Sequence, residues 1–314
     1  MSAKGFWFNP DSVPRPGSQD AGAVAGDRAA AGVYVYDEAQ TIIRAINVAG
    51  VTGRPLLVDG PSGCGKSSLA NHVAWVMNWK MHFFPVTSRT QAADLLYTID
   101  QLARLQDAQA KQLGAIGKYI RPGKLWEAFD STGAKNREAS PAAEGGGDAL
   151  TLPARNAAGG AVVLIDEIDK ADPDVPNNLL LPLGSYEFPV PELGFTVSAR
   201  EVPFIVLTSN NERKLPAAFL RRCVHLTLLA PDYKQLVAVG KAHFGASVDE
   251  GTITTVAKLL TDGSPGRSER DVSIAEYLDT VRACDSLRID PNSDHWKWIR
   301  STIFAKQERV PEAR

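Results

Sequence analysis

Two kinds of apolar pattern alternate along the first three quarters of the chain. Short continuous apolar runs are typical of parallel strands buried on both faces, whereas apolar residues three or four apart indicate helices packed on a sheet. Strands that alternate with helices predict an α/β fold built on a parallel sheet. Five runs predict its strands: Leu56–Val58, His82–Val86, Ala161–Ile165, Pro203–Leu207 and Val224–Leu228.

Helical spacing surrounds these runs. It predicts a helix that begins near Asp37 and ends before the first strand, and a second helix directly after that strand. The segment Ala92–Ala110 also has helical spacing, with Leu102 and Leu105 on its apolar face. An inserted hairpin that breaks the middle of this segment is an alternative.

The last quarter of the chain has a different pattern, because no further strand is convincing after Pro231. Helical spacing over residues 233–244, 249–260, 273–287 and 294–307 predicts a small α-helical domain that follows the sheet and forms a lid.

Segments rich in proline, glycine and alanine interrupt these patterns. Residues 1–32 resemble an arm or linker, whose aromatic trio Phe6, Trp7 and Phe8 we expect to pack on its own chain rather than on a neighbouring subunit. Residues 131–160 contain almost no bulky apolar side chain and predict a mobile insertion. Residues 186–201 predict a proline-rich hairpin outside the main sheet. The predicted domains are therefore the arm (1–32), the α/β domain (33–229) and the helical lid (230–314).

Composition narrows the function classes. The chain has 314 residues, and its formal net charge of -2 does not favour nucleic acid or an anionic membrane as a partner. Its 3 cysteines are far apart and include no CxxC pair, so neither a disulfide framework nor a zinc site is indicated. No apolar run approaches the roughly 20 residues that span a bilayer. These features favour a cytoplasmic protein without a membrane anchor.

A glycine-rich turn lies between the first predicted strand and the helix after it. This context places backbone N–H groups and a helix N-terminus at one anion site, which predicts a phosphate-binding loop. In such a loop Lys66 contacts the β- and γ-phosphates, and the Ser67 hydroxyl binds Mg²⁺. Cys64 is interpreted as a small residue in a crowded turn rather than a redox thiol. The nucleotide-binding residues are Gly60, Pro61, Ser62, Gly63, Cys64, Gly65, Lys66, Ser67 and Ser68.

Polar side chains follow two of the other predicted strands. Asp166 and Glu167 come directly after the third strand, at the sheet edge where open α/β proteins bind ligands. They match a Walker B element, in which Asp166 helps to hold Mg²⁺ and Glu167 accepts a proton from the attacking water. Asn210 follows the fourth strand and is placed to bond that water or the γ-phosphate; a simple turn-forming Asn pair with Asn211 is the alternative.

Together these motifs resemble an AAA+ ATPase, and within that superfamily the MoxR and dynein-related branch, which carries an insert in helix 2. The resemblance rests on GPSGCGKSSLA at 60–70, VVLIDEIDKAD at 162–172, LTSNNER at 207–213 and LPAAFLRRC at 215–223. It implies an AAA+ core with a five-stranded parallel sheet between helices, followed by a small α-helical lid.

The resemblance also implies roles for individual residues. Asn210 corresponds to sensor 1, and Arg222 corresponds best to the arginine finger that reaches a neighbouring subunit's ATP, with Arg221 as the alternative. Arg270 corresponds to sensor 2, with Arg267 as the competitor.

Two further elements match the family. The 186–201 hairpin resembles the pre-sensor 1 hairpin, and residues 97–109 are expected to contain the helix 2 insert. Thr87 and Ser88 follow the second strand, where a polar residue contacts the catalytic glutamate in many relatives, so the resemblance implies a contact with Glu167. No aromatic-hydrophobic-glycine pore loop is present.

The function implied by the resemblance is Mg²⁺-dependent ATP hydrolysis by a ring, a hexamer in our interpretation, that remodels a protein partner. Relatives of the MoxR type act with a von Willebrand factor A domain protein, which makes that class the expected partner. An ATP-controlled assembly switch, in a bacterial defence system for example, is the alternative. A nucleic-acid motor is less favoured because the chain lacks a basic aromatic surface signature.

Overall fold

The structure of the protein is a computed structural model. It describes residues 7–12, 33–37, 39–135, 160–261, 273–291, 293, 295–296 and 298–299. The chain divides into two compact units. In the described residues, the first unit holds 7–12, 37, 39–59, 73–135 and 160–227. The second holds 33–36, 60–72 and the described residues from 228 onwards. The phosphate loop therefore belongs to the same unit as the C-terminal helices.

The described residues of the first unit contain nine strands. They are β1 (Leu56–Asp59), β2 (Lys80–Pro85), β3 (Tyr97–Ile99), β4 (Ile120–Pro122), β5 (Ala161–Asp166), β6 (Glu187–Val190), β7 (Phe195–Ser198), β8 (Phe204–Ser209) and β9 (Val224–Thr227).

Five of these strands form the central parallel sheet, in the order β2-β5-β8-β1-β9. All six residues of β8 and the first five of β5 are buried, as continuous apolar runs in the middle of a sheet require. The five-stranded parallel sheet predicted from the sequence is confirmed. Its order places the carboxyl ends of β5 and β8 side by side.

Helices flank the strands in the chain. They are α1 (Thr41–Thr52), α2 (Lys66–Met77), α3 (Ala92–Leu96), α4 (Gln101–Gln109), α5 (Lys124–Phe129), α6 (Ser131–Lys135), α7 (Asp174–Asn178), α8 (Leu180–Ser185), α9 (Ala217–Leu220), α10 (Tyr233–Phe244), α11 (Glu250–Thr261) and α12 (Ile274–Ser286). The last three form the core of the second unit around Tyr277, Val281 and Leu260, each at most 2% exposed. Three of the four predicted C-terminal helices are thus confirmed, and most of the fourth, 294–307, lies outside the described residues.

The segment predicted as one helix over 92–110 is broken. It forms α3, then strand β3, then α4, and β3 pairs antiparallel with β4. The alternative of an inserted hairpin is therefore correct, and the insert extends to Pro122. The predicted apolar face is wrong for Leu102 and Leu105, which are 66% and 56% exposed, because α4 buries none of its residues.

The 131–160 segment begins inside the fold rather than as a mobile insertion. Its first five residues form α6, and Ala134 packs into the core of the first unit. Residues 136–159 lie outside the described residues.

At the start of the chain, Phe8 is fully buried, and its backbone N–H and carbonyl both bond to the side chain of Asn47. Packing on its own chain is confirmed for Phe8, whereas Trp7 is 73% exposed. Phe6 and most of the arm lie outside the described residues.

The predicted hairpin forms outside the central sheet, since β6 and β7 pair only with each other. Phe188 and Val197 face each other in this ladder and are both buried. The hairpin is anchored by an aromatic group in which Phe188 contacts the rings of Tyr97, Trp126 and Phe129. None of the helices in the described residues is long and apolar enough to cross a membrane.

Candidate active site

The phosphate loop connects the end of β1 to the start of α2. Gly63 and Gly65 have φ of 78° and 96°, a left-handed conformation that glycine adopts without strain. The ammonium of Lys66 donates to the carbonyls of Gly60 and Pro61, both at 2.8 Å, and its side chain is only 7% exposed. These two bonds close the loop on itself and fix the position of the lysine charge.

The loop also contacts the first turn of α12. The N–H of Ile274 donates to the carbonyl of Gly63 at 2.9 Å. A Cβ atom at Gly63 would lie 2.2 Å from the hydroxyl oxygen of Ser273, which is the N-cap residue of α12. The absence of a side chain at Gly63 therefore permits this approach. Arg267 and Arg270, which precede the helix in the sequence, lie outside the described residues.

The other predicted loop residues occupy different environments. Cys64 is not part of a disulfide and is 6% exposed, in accord with a small side chain in a crowded turn. Ser67 is partly buried, and Ser68 is exposed on the first turn of α2. Pro61 is partly buried, and Ser62 is exposed.

The Walker B carboxylates are positioned by a neighbouring strand. The hydroxyl of Thr208, on β8, donates to Oδ1 of Asp166 at 2.6 Å and accepts the N–H of Glu167 at 2.8 Å. Thr208 is fully buried, and the adjacent pairing of β5 with β8 brings it there. A hydroxyl directly after the apolar run 203–207 was the sequence signal for this contact.

Glu167 has a left-handed backbone, with φ 60° and ψ 49°. Its carboxylate accepts from the side-chain amide of Asn210 at 3.0 Å and from the ammonium of Lys170 at 2.6 Å. The hydrogen bond to Glu167 is the main cause that raises the pKa of Lys170. The structure thus brings together Glu167 and Asn210 and adds Lys170, which the sequence reasoning missed.

Asp169 was also missed. It is 1% exposed, and its Oδ2 accepts from the backbone N–H groups of Asn210 at 3.2 Å and Glu212 at 2.9 Å. These two bonds hold the loop after β8, so Asp169 fixes the main chain from which Asn210 reaches Glu167. Its position three residues after Asp166 did not reveal this role in the sequence, because acidic residues are common in such turns.

Thr87 does not contact Glu167, which corrects the contact suggested by the resemblance. Its hydroxyl lies 3.2 Å from that of Thr90, which also accepts the N–H of Thr87 at 2.9 Å. Thr87 therefore bonds within its own turn, and Asn210 and Lys170 hold the glutamate instead.

The two candidate finger arginines lie between α9 and β9, and both are exposed. Because β9 runs parallel to β1, this turn lies at the amino end of the sheet.

The oxygen side chains of each unit, taken separately, agree with Mg²⁺, which prefers hard oxygen ligands and binds through one or two carboxylates plus substrate phosphates. Asp166 supplies a carboxylate, which accepts the hydrogen bond from Thr208. Ser67 supplies a hydroxyl. Within the described residues no group of three His, Cys, Asp or Glu side chains could hold a metal by itself, and a metal bound through phosphates does not need one.

A family model described as an AAA domain of the dynein-related subfamily matches residues 55–223, which is more than half of the chain. The chain belongs to this family. Its parallel sheet, phosphate loop and helical C-terminal region are those of an AAA+ protein, and the family implies that it binds ATP.

Three solved structures of other proteins match the chain. NtrX from Brucella abortus in complex with ADP has a TM-score of 0.50 and 14% identity, over 89% of this AAA+ chain and 57% of NtrX. The RuvB Holliday junction branch migration motor from Thermotoga maritima has a TM-score of 0.44 and 16% identity, over 84% and 67% of the two chains. A putative ATPase from Cytophaga hutchinsonii has a TM-score of 0.42 and 16% identity, over 73% and 60%. At these identities NtrX supports the fold alone, and no curated protein matches the sequence.

Proposed function

We propose that this AAA+ protein is a Mg²⁺-dependent ATPase that works as a ring and remodels a protein partner. The observation that carries the ATPase proposal is the 3.0 Å bond between Asn210 and Glu167. A carboxylate and an amide held together beside the Walker B strand are the two groups that a hydrolytic water requires, one to accept its proton and one to orient it.

Each residue has one role in this proposal. Glu167 accepts the proton of the attacking water, and Asn210 orients that water or the γ-phosphate. Lys66 binds the β- and γ-phosphates, and the backbone N–H groups of the 60–65 loop bind the phosphate oxygens. Arg270, with Arg267 as the alternative, senses the γ-phosphate from the lid.

Ser67 and Asp166 would hold Mg²⁺, directly or through its water shell. The ion neutralises the charge of the phosphate oxygens when it is bound with ATP.

The position of the finger supports assembly into a ring, a hexamer in our proposal. The phosphate loop follows the carboxyl end of β1, whereas Arg221 and Arg222 precede the amino end of β9, its parallel neighbour. The four residues of β1 separate these two sheet edges by about 13 Å. An arginine at the amino edge suits an ATP held by a neighbouring subunit, whose transferring phosphoryl group it would stabilise.

The two elements inserted in the first unit support the remodelling part of the proposal. The hydroxyl of Tyr97 donates to Glu192 at 2.8 Å, so the helix 2 insert and the 186–201 hairpin are bonded to each other. As in the MoxR type, we propose that they act on a protein substrate, with a von Willebrand factor A domain protein as the expected class.

The test is the substitution Glu167→Gln, with Glu187→Gln, on the exposed β6 position, as a control. Loss of the base should lower steady-state ATP hydrolysis by about 10²-fold or more while ATP binding remains. An unchanged rate would exclude Glu167 as the base. A wild-type turnover already too slow to measure would instead support the ATP-controlled switch.

Partner and assembly are tested with the same variant. With ATP present, Glu167→Gln should sediment as a ring and retain a specific protein on affinity purification, whereas Lys66→Ala, which cannot bind ATP, should retain no such protein. Recovery of no specific protein would contradict remodelling. Strong stimulation of hydrolysis by DNA or RNA would favour a nucleic-acid motor.

A further inference from the structure

Arg54 lies beside the candidate finger because of strand register. Leu56 of β1 pairs with Val224 of β9 in a parallel arrangement. Two residues before each strand stand Arg54 and Arg222, so the register places these two arginines next to each other. The N–H of Val224 also donates to the carbonyl of Pro55 at 2.8 Å, which extends the pairing up to this point.

The guanidinium of Arg54 binds three consecutive carbonyls of what we call the finger turn, residues 221–223. Its Nε donates to the carbonyl of Arg222 at 3.2 Å, and its Nη2 donates to the carbonyls of Arg221 and Cys223, the latter at 2.8 Å. The N–H groups of the finger turn bond back to carbonyls of α9, whereas its own carbonyls lie beyond the end of that helix. Arg54 therefore supplies the donors that the main chain of the finger turn lacks.

The contact is specific to arginine. A guanidinium carries five N–H donors in a rigid planar fork, and three carbonyls are bound here through two of its nitrogens. A lysine ammonium is a single point on a flexible chain and cannot reproduce this arrangement. The bonds join residues 167 to 169 positions apart, so Arg54 ties the finger turn to the start of strand β1.

The finger turn and Arg54 also border one cavity of about 400 Å³ on the surface of the first unit. Its described lining includes Arg54, Arg221 and Arg222 together with Gly184 and Tyr186, and it contains no acidic residue. Arg221 and Arg222 therefore line a positively charged cavity. Mutual repulsion among three cations opposes this grouping, and the carbonyls that Arg54 binds offset part of that cost.

We propose that Arg54 is a positioning residue for the arginine finger: it clamps the finger turn so that Arg222, or Arg221, reaches the γ-phosphate of a neighbouring subunit's ATP. This inference rests on the proposed ATPase in which the finger acts between subunits. Arg54 itself touches no nucleotide. It acts by fixing the main chain, since a misplacement of about 1 Å can cost a catalytic group 10²-fold in rate.

The first measurement separates catalysis from binding. Arg54→Ala should lower kcat by about 10- to 100-fold. It should change the affinity for ATP by less than about threefold, because the finger turn lies at the amino edge of the sheet and the subunit's own phosphate loop follows the carboxyl end of β1. Arg54→Lys should give an intermediate loss. A kcat equal to wild type in Arg54→Ala would overturn the proposal. Arg54→Gln serves as the second variant if Arg54→Ala does not fold.

The second measurement is subunit mixing. Lys66→Ala cannot bind ATP but keeps an intact finger turn, whereas Arg54→Ala binds ATP but has a displaced finger. In mixed rings, ATP bound by an Arg54→Ala subunit can meet the intact finger of a Lys66→Ala neighbour and be hydrolysed. The ATPase rate of the mixture should therefore exceed the sum of the rates of the two separate proteins. Restored hydrolysis supports a role in the finger turn. No gain, while Arg222→Ala or Arg221→Ala mixed with Lys66→Ala does gain, would overturn the proposal for Arg54.

The mixing controls also separate this inference from the proposed function. If neither Arg221→Ala nor Arg222→Ala is rescued by Lys66→Ala, the finger between subunits is wrong. The double variants Arg54→Ala/Arg222→Ala and Arg54→Ala/Arg221→Ala then test whether Arg54 acts through one of the two finger arginines. A double variant no slower than its single finger variant shows that Arg54 acts through that arginine, and additive losses in both would show that it does not.

Discussion

Lys170 and Glu167 form an ion pair in which Nζ lies 2.6 Å from Oε2, three residues apart on one turn. Both side chains are about one-third exposed, at 37% and 34%, so the pair is worth at most about 1 kcal/mol. The cation competes with water for the carboxylate that we propose as the base. Lys170 is therefore a restraint on Glu167 rather than a catalytic group.

Removing this restraint should release the base. We expect Lys170→Met to raise the basal ATPase rate by up to about fivefold, the factor that 1 kcal/mol provides. High salt should bring the wild-type rate closer to that of the variant, because salt screens an exposed pair. Lys170→Arg is the control and should behave like wild type. A rate that falls as far as in Glu167→Gln would show instead that Lys170 takes part in hydrolysis.

Gly63 joins the phosphate loop to α12 and should not tolerate a side chain. Its φ is +78°, and an added Cβ would meet Ser273 at 2.2 Å. We expect Gly63→Ala to weaken ATP binding by about tenfold or more and to lower the stability of the second unit by about 1–3 kcal/mol. Nucleotide titration and thermal melting measure these two effects.

A matched control separates the clash from the backbone strain. Gly194 has a similar φ of +70° but no atom within 4 Å of an added Cβ. Gly194→Ala should therefore show the effect of backbone strain without a clash. Gly63→Ala/Ser273→Gly should recover part of the binding, since it removes the atoms nearest the new methyl group. An equal loss of stability in Gly63→Ala and Gly194→Ala would show that the contact with α12 is unimportant.

The parts of the fold that the sequence predicts depend on short-range patterns. Continuous apolar runs identify buried strands such as β5 and β8, and the loop that follows β1 is recognisable from eight consecutive residues. Carboxylates directly after a buried strand must lie at the carboxyl edge of the sheet. This is why Asp166 and Glu167 could be placed without coordinates.

The contacts that the sequence does not reveal depend on long-range pairing. Arg54 meets the finger turn only because β1 and β9 are neighbours, at a sequence separation of 168 residues for Arg222. The break at Tyr97 depends on a partner strand more than twenty residues later, and helical spacing on both sides hides it. Lys170 is local, but a lysine in such a turn is ordinarily solvated, so its pairing with Glu167 gave no signal.

Tyr97 should transmit motion between the helix 2 insert and the 186–201 hairpin. Its hydroxyl donates to Glu192 at 2.8 Å, and burial together with that carboxylate raises its pKa to about 12. We expect Tyr97→Phe to keep the ring contacts with Phe188 and Trp126 and to lower the free energy of unfolding by about 1 kcal/mol. Amide hydrogen exchange over 187–198 should become faster.

The control for this prediction is Tyr119→Phe. The hydroxyl of Tyr119 bonds to Asp107 and Gly114, all within the insert, so its loss should loosen the insert without changing exchange in the hairpin. Unchanged exchange over 187–198 in Tyr97→Phe would show that the hydroxyl bond does not couple the two elements.

His82 should make the first unit sensitive to mild acid. The side chain is 3% exposed on β2, and burial, followed by the charge of Lys80, lowers its pKa below 6.5. Glu127, 3.3 Å away, opposes this shift, and Lys124 adds to it. Because the folded pKa lies below the unfolded one, the stability from neutral His82 is fully present above pH 6.5. It is lost as the pH falls from 6.5 through the folded pKa.

Urea unfolding between pH 8 and pH 5 measures this effect. Wild type should lose stability below pH 6.5, with at most about 1.4 kcal/mol per pH unit from His82, and His82→Gln should lose less over the same range. Glu127→Gln should lose more, because it removes the group that favours the protonated imidazole. Burial also lowers the pKa of His243, so His243→Gln measures how much of the stability loss at acid pH comes from His243. An identical pH dependence in wild type and His82→Gln would mean that the imidazole does not govern the acid response.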